Sequence, residues 1–305
     1  MKAAVVTGAT GLIGSALVNE CIANNVRVLA IVRPNTQNLS RLPDSPLLTV
    51  IQADLSGLGD GIAQRAGCEW DTFYHLAWNT IEARDRHDLD LQLVNVQYTC
   101  DAVRLAKSLG CHRFIGAGSQ AEYGSYRQGV LSPNSPANPV DAYSLAKFTA
   151  GKASLFLADQ LGMEGIWVRV FSVFGPNDRP GSMVQDTIRK LKHAVRPAFT
   201  TAAQVWDYVY ATDAASAFYL LGASRKRNSL YCLGGGSPRP LVEYILALRD
   251  LVSPHADLGF GEIPATGPLV SIAADIGDLV HDVGFSPKVD FQTGIAKILE
   301  SDSIA

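Results

Sequence analysis

A chain of 305 residues, 47% hydrophobic and 18% charged, carries enough apolar material for one large domain or two closely packed ones. Its net charge of −3 offers no general attraction to nucleic acid or to an anionic membrane, although a local basic pocket for an anionic small molecule is compatible with it. No apolar run reaches the roughly 18 residues of a membrane span, and the apolar start is too short for a signal-peptide core, so a cytoplasmic protein without a membrane partner is expected.

Residues 3–7 (AAVVT) form a short apolar run that stops at a glycine-rich turn. Helical spacing follows over 12–23, with Leu12, Ile13, Ala16, Leu17 and Ile22 apolar, and residues 26–32 read as a second strand. Strand, turn, helix and strand within about 30 residues is the βαβ pattern. Further strands are predicted at 47–54, 72–78, 113–119 and 165–175, and helices at 94–110 and 142–162, each helix closed near a glycine. Near-continuous apolar strands alternating with helices imply a parallel sheet covered on both faces, an α/β doubly wound architecture of the Rossmann kind over residues 1–175. After Gly175 the rhythm breaks into helical pieces near 183–193, 212–223 and 238–252, which reads as a smaller mixed α/β C-terminal unit over 176–305. Strands near 205–210 and 229–233 are expected to rejoin the main sheet. The five cysteines, Cys21, Cys68, Cys100, Cys111 and Cys232, are scattered without metal-ligand spacing, so reduced packing thiols and no metal are expected.

The turn reads Gly8-Ala9-Thr10-Gly11-Leu12-Ile13-Gly14. Glycines at this spacing permit positive φ and close backbone approach, and the helix that follows points unpaired N–H groups and its positive end at a phosphate. Between a strand and a helix, this is a dinucleotide-binding turn. The tip of the second strand distinguishes the cofactors. A carboxylate there would hold the ribose 2′-hydroxyl of NAD(H), whereas an arginine accommodates a 2′-phosphate. The sequence has Ile31-Val32-Arg33-Pro34-Asn35, with Arg41 further on, so NADP(H) is preferred and NAD(H) is the alternative. Asp54, at the end of the third strand, is placed to accept a hydrogen bond from adenine, or else to cap a turn.

Tyr143 and Lys147 stand four apart in a predicted helix, on one face and one turn from each other. An ammonium close to a phenol lowers its pKa towards the range useful for acid–base work. Ser119 ends the strand RFIGAGS, at the carboxyl edge where ligands bind in such sheets, and could hold a carbonyl or alcohol oxygen. Asn95, on the preceding helix, is placed to order a water or a backbone group near Lys147, or to serve a structural role.

With these motifs the chain resembles the extended short-chain dehydrogenase/reductase family, in its nucleotide-sugar epimerase, dehydratase and reductase branch. The matching segments run along the whole chain: TGATGLIG (7–14), ADL (53–55), HLAW (75–78), Asn95, the Ser119 region, YSLAK (143–147), VRVFSVFGPND (168–178), WDYVYATDAA (206–215) and the tail from 275. The resemblance implies a six- or seven-stranded sheet and a substrate-binding C-terminal unit. Dinucleotide contacts would come from Gly8, Thr10, Gly11, Leu12, Ile13, Gly14, Arg33, Asp54, Leu55, Leu76, Ala77, Asn95, Tyr143, Lys147 and Val173. Ser119, Tyr143 and Lys147 would be catalytic, the substrate a sugar linked to a nucleoside diphosphate, and the assembly a homodimer through the helices that carry Asn95 and Tyr143.

Departures from the family pattern bear on the reaction. Dehydratases carry an Asp-Glu pair just after the serine or threonine. Here Gln120 and Ala121 stand there, with Glu122 one position further on. Ser172 replaces an asparagine common in epimerases, and Trp206 replaces an arginine that grips the diphosphate, a role that would pass to Arg179 or Arg239. Trp78, Ser119, Gln120, Arg179 and Trp206 are accordingly the candidate substrate contacts. The expected reaction is NADPH-dependent reduction of a nucleotide-linked keto-sugar, such as a 4-keto-6-deoxy hexose. The first alternative is a 4-epimerase with tightly held NAD. A non-catalytic dinucleotide-binding regulator is disfavoured because Tyr143 and Lys147 are both present.

Overall fold

The computed structural model describes residues 1–67, 69–79, 83–124, 128–225, 228–265 and 269–302. The strands are β1 (Ala3–Thr7), β2 (Arg27–Val32), β3 (Leu48–Gln52), β4 (Thr72–His75), β5 (Arg113–Ser119), β6 (Gly129–Leu131), β7 (Glu164–Val170), β8 (Ser172–Phe174), β9 (Val205–Trp206), β10 (Tyr208–Tyr210), β11 (Leu230–Leu233), β12 (Arg239–Pro240) and β13 (Ile272–Ala274). The helices are α1 (Leu12–Ala23), α2 (Asp60–Ala66), α3 (Leu89–Ser108), α4 (Ala142–Gln160), α5 (Met183–Lys192), α6 (Ala211–Ala223), α7 (Leu241–Val252), α8 (Gly277–Val283) and α9 (Phe291–Asp302).

Seven strands form one sheet in the order β11-β7-β5-β4-β1-β2-β3, and every pairing in it is parallel. Central strands of such a sheet face helices on both sides, which is why β1 reads AAVVT with all five residues buried. Its alternate residues serve different cores. Ala4 and Val6 pack with Leu17 and Val18 of α1, Phe218 of α6 and Leu279 of α8. Ala3 and Val5 pack with Ile62 of α2, Val103 and Leu105 of α3, and Ala158 of α4. This is the Rossmann-like fold. Strand order reverses between β1 and β4, and ligands of open α/β sheets bind beyond the carboxyl ends at such a reversal.

The C-terminal half differs from the sequence-based expectation in one respect. The strand near 229–233 does rejoin the sheet, as β11 beside β7, but the stretch near 205–210 does not. It divides into β9, antiparallel to β12, and β10, parallel to β8. The run expected as one strand over 165–175 is correspondingly broken at Phe171, and β8 leaves the sheet. Between β9 and β10 the side chain of Asp207 is buried and accepts hydrogen bonds from the N–H groups of Gly235 and Ala274, which ties this stretch to them. A separate aromatic core of Phe174, Tyr210, Tyr244 and Phe291 joins β8 and β10 to α7 and α9.

Candidate active site

The glycine turn between β1 and α1 lies at the carboxyl end of β1. Gly8 has φ +70, and a Cβ there would stand 2.7 Å from the Ala77 nitrogen, while a Cβ on Gly14 would overlap the Gly8 carbonyl oxygen. Only glycines allow this packing against the end of β4. Gly11 caps α1 without a side-chain hydrogen bond, and no acidic residue occupies the first helical turn. The helix therefore presents its positive end without competition, and these residues fit the pyrophosphate of a dinucleotide. Thr10 is tied down from behind, its carbonyl accepting from Arg41 Nη1 at 3.0 Å. Leu12 and Ile13 open α1, with Ile13 packed against the core.

The other sequence-predicted dinucleotide residues surround the same edge. Arg33 follows the last residue of β2 and is exposed. Asp54 is also exposed and precedes a short turn (Leu55–Gly57) that its side chain does not cap. Leu55 packs on the α2–α3–α4 side of the sheet, Leu76 and Val173 on the α1–α6 side. Leu76 also donates its N–H to the Thr7 carbonyl at 3.3 Å.

Ser119 ends β5, and its side chain comes near that of Tyr143, in the first turn of α4. Asp141 places that turn by capping α4, accepting from Ser144 N at 2.7 Å. One turn on, Lys147 is 5% exposed, and its Nζ donates to the Ala117 carbonyl at 2.9 Å. The ammonium lies 3.7 Å from the centre of the Trp78 ring but 6.0 Å from that of Tyr143. The ammonium thus faces the Trp78 ring more closely than the Tyr143 ring. The cation against the Tyr143 ring is Arg86, at 4.3 Å, and it is loosely paired with Asp141 at 3.6 Å. Burial raises the Tyr143 phenol above its ordinary value, opposed by the nearby Ser119 side chain and then by the charge of Arg86. Burial pushes Lys147 down to about 7, against the opposing charge of Glu122.

Trp78 and Asn95 are supports for this cluster. Trp78 donates through Nε1 to Gln92 Oε1 at 2.9 Å, and meets the Tyr143 ring edge-on at 6.0 Å and 79°. The buried Asn95 clasps the backbone of Asn79 on both sides, accepting its N–H at 2.7 Å and donating to its carbonyl at 3.1 Å. Its amide is thereby spent on the segment that carries Trp78. His75, which sequence reasoning passed over, ends β4 with Nδ1 2.9 Å from Thr7 Oγ1. Burial, helped by the charge of Lys147, holds it down to about 3, so it is a neutral strut near neutral pH.

On the opposite side, Trp206 Nε1 donates to Ser172 Oγ at 2.7 Å, and Gln120 Nε2 points at the same oxygen from 3.5 Å. The Trp206 ring packs between the two smaller cores. The two arginines considered as replacements differ. Arg179 is exposed and its charge is felt at Tyr143. Arg239 instead stacks 4.3 Å over the Tyr244 ring and donates to Gln292 at 3.3 Å, a setting on α7 and α9.

A model of the NAD dependent epimerase/dehydratase family matches residues 4–234. The chain belongs to this family. An uncharacterized UDP-glucose epimerase of Bacillus subtilis is 23% identical over 309 residues, covering 95% of each chain. The solved epimerase Mth375 of Methanothermobacter thermautotrophicus superposes with a TM-score of 0.88 at 16% identity, over 99% of this chain and 92% of that one. The structure of MoeE5 in complex with UDP-glucuronic acid and NAD gives 0.83 at 25% identity, over 99% of both chains.

Within the family, Glu122 is the residue whose setting matters most for the dehydratase question. It is buried and accepts from Ser119 N at 2.8 Å, Trp167 Nε1 at 2.9 Å and Arg169 Nε at 2.9 Å. Its carboxylate is committed beneath the site and does not replace the missing acid pair. The glycines of RFIGAGS belong to the same arrangement, because a Cβ on Gly116 or Gly118 would overlap the Trp167 indole. Two glycines alternating along a buried strand were the available sequence signal for that tryptophan. Among the described residues no helix could cross a membrane, no group of His, Cys, Asp or Glu could hold a metal ion, and Cys21, Cys100, Cys111 and Cys232 are free thiols. Cys68 lies outside the described residues.

Proposed function

We propose that this protein reduces the keto group of a nucleotide-linked sugar, such as a 4-keto-6-deoxy hexose, with NADPH. The observation that carries the reading is the placement of Ser119 beside Tyr143 at the carboxyl edge, one helical turn from Lys147 and across from the glycine turn. Gly8, Gly11, Gly14 and the start of α1 would hold the pyrophosphate, Asp54 the adenine, and Lys147 the nicotinamide ribose. A bound nicotinamide supplies the two-electron chemistry at its C4. Tyr143 gives its phenolic proton to the carbonyl oxygen, which Ser119 orients and polarises. In its protonated form Lys147 carries positive charge into a dry pocket, where charge is felt more strongly than in water. Gln120, Ala121 and the committed Glu122 leave no acid for elimination, which favours simple reduction over dehydration. Arg33 at the tip of β2, without a carboxylate beside it in Ile31–Asn35, supports NADP(H).

A second reading is favoured by the relatives named as epimerases and by the NAD bound to MoeE5. It is a 4-epimerase that keeps NAD and uses the same three residues. Incubation with NADPH and a panel of nucleotide-linked 4-keto sugars, followed at the nicotinamide absorbance band, separates the two. Steady consumption of NADPH is expected. Purified protein that carries stoichiometric NAD and leaves added NADPH untouched defeats the reductase reading. Pairing of two copies through α3 and α4 is part of this proposal, supported by the exposed Leu93 and Val94 on α3 and Leu145 and Phe156 on α4. Sedimentation as a monomer would count against it.

A further inference from the structure

We infer that Gln92 is a positioning residue for both members of the Tyr143–Lys147 pair, holding Trp78 against the lysine and the turn that carries Arg86 against the phenol ring. The inference rests on the proposed use of that pair as the reacting groups. It starts from an inversion of the usual polarity at the beginning of α3. Leu91, Leu93 and Val94 are exposed, whereas Gln92 among them is 0% exposed. Burying an amide is costly unless its polar groups are matched, so the partners of Gln92 hold the reason for its place. Its Oε1 accepts from Trp78 Nε1 at 2.9 Å, and its Nε2 donates to the Asp85 carbonyl at 3.0 Å. The orientation of this amide is fixed by its partners, because an indole N–H can only donate and a backbone carbonyl can only accept. A turned amide would set N–H against N–H and oxygen against oxygen.

Each partner leads to one reacting group. Trp78 lies just beyond the end of β4; the Lys147 ammonium stands 3.7 Å from its ring centre, and the Tyr143 ring meets it edge-on. Asp85 belongs to the short helical turn Ala83–His87. The next residue, Arg86, sets its guanidinium 4.3 Å from the Tyr143 ring centre and 3.6 Å from Asp141, the residue that caps α4. One amide thus ties the segment after β4 to α3 at two points, one beside Lys147 and the other beside Tyr143. Asn95, three residues further along α3, clasps the backbone of Asn79 and holds the same segment between those points. An apolar side chain of the same length in place of Gln92 would fill the space but leave the indole N–H and the Asp85 carbonyl unmatched. Both would then be drawn towards water, taking the aromatic face from the ammonium and the guanidinium from the phenol ring.

NMR of the cofactor-free protein tests this apart from turnover, with isotope-labelled tryptophan and tyrosine and with the signals of Trp78 and Tyr143 assigned from Trp78→Phe and Tyr143→Phe. In Gln92→Met the Trp78 indole N–H should exchange with solvent about 10-fold faster or more, in keeping with loss of a buried hydrogen bond. The Tyr143 ring signal should move in the direction produced by Arg86→Gln. Because the glutamine acts on that ring partly through the arginine, the double variant should move the signal by less than the sum of the two single shifts. Val103→Ala, which opens a cavity beside the same helix, should lower stability and leave both signals in place. The kcat of whichever reaction the wild type performs, reduction or epimerisation, should fall about 10-fold or more in Gln92→Met. Gln92→Asn, which keeps both functional groups on a shorter chain, should show the same changes to a smaller extent and serves if Gln92→Met does not fold. In a folded Gln92 variant, an unmoved Tyr143 signal, an indole N–H that stays protected, an unchanged kcat or strictly additive shifts overturns the inference. A wild type that turns over no sugar nucleotide defeats the functional reading instead, and the two NMR signals then decide by themselves whether Gln92 holds these partners.

Discussion

Lys147→Met should make the cofactor-free protein more stable below neutral pH while removing activity. Lys147 is buried, and its pKa falls from the ordinary 10.5 to about 7. Between those two values the unfolded chain holds a proton that the folded protein has released, so stability rises with pH across that window. Below pH 7 both states are protonated, and the folded protein bears the whole cost of the buried charge. At about 1.4 kcal/mol per pH unit, the cost approaches ~5 kcal/mol. Methionine does not titrate, but it forfeits the bond to the Ala117 carbonyl, which costs about 1–3 kcal/mol. It also forfeits the Trp78 cation–π contact, worth about 1–2 kcal/mol. A net gain of roughly 0–3 kcal/mol at pH 6 is therefore expected from these terms. That advantage should shrink by about 2.7 kcal/mol between pH 6 and pH 9 and change sign. Urea unfolding followed by the fluorescence of the four tryptophans, at pH 6, 7, 8 and 9, measures the difference. A wild-type-minus-variant difference that stays constant over this range would refute the account of a desolvated ammonium.

Three further outcomes follow from the same geometry. Glu122→Ala breaks a buried ion pair and should cost about 3–5 kcal/mol of stability in urea unfolding; Glu122→Gln should keep turnover, and its complete loss in a folded variant would restore a catalytic role to that carboxylate. Arg86→Gln removes the cation above the Tyr143 ring, so the phenol pKa rises further. Because reduction uses the protonated phenol, the alkaline fall in the kcat profile should move to higher pH, and Arg86→Lys should move it back; an unmoved profile excludes Arg86 from tuning. Arg33→Ala should weaken NADPH binding by roughly 10-fold or more relative to NADH, in keeping with loss of a charged hydrogen bond, and equal losses for both cofactors would contradict the 2′-phosphate assignment.

Local chemistry along the chain was enough to specify the βαβ start, because the glycine spacing at Gly8–Gly14 and the apolar run of β1 answer to constraints within a few residues. The four-residue step from Tyr143 to Lys147 likewise carries its meaning in helix geometry alone. Neither signal reports which partner a side chain meets across the fold. The Lys147 ammonium turned to the Ala117 carbonyl and the Trp78 face, and Arg86 came to the Tyr143 ring from a short helical turn whose sequence has no motif. Glu122 stands one position beyond the place of the dehydratase acid pair, and nothing in its local sequence shows its pairing with Arg169, 47 residues away. The stretch around Asp207 read as a strand of the main sheet, yet the buried carboxylate drew it to the N–H groups of Gly235 and Ala274. Periodicity records which face of an element avoids water. Satisfying a buried charge or amide is a contest among groups distant in the chain, and that contest is settled only when the elements pack.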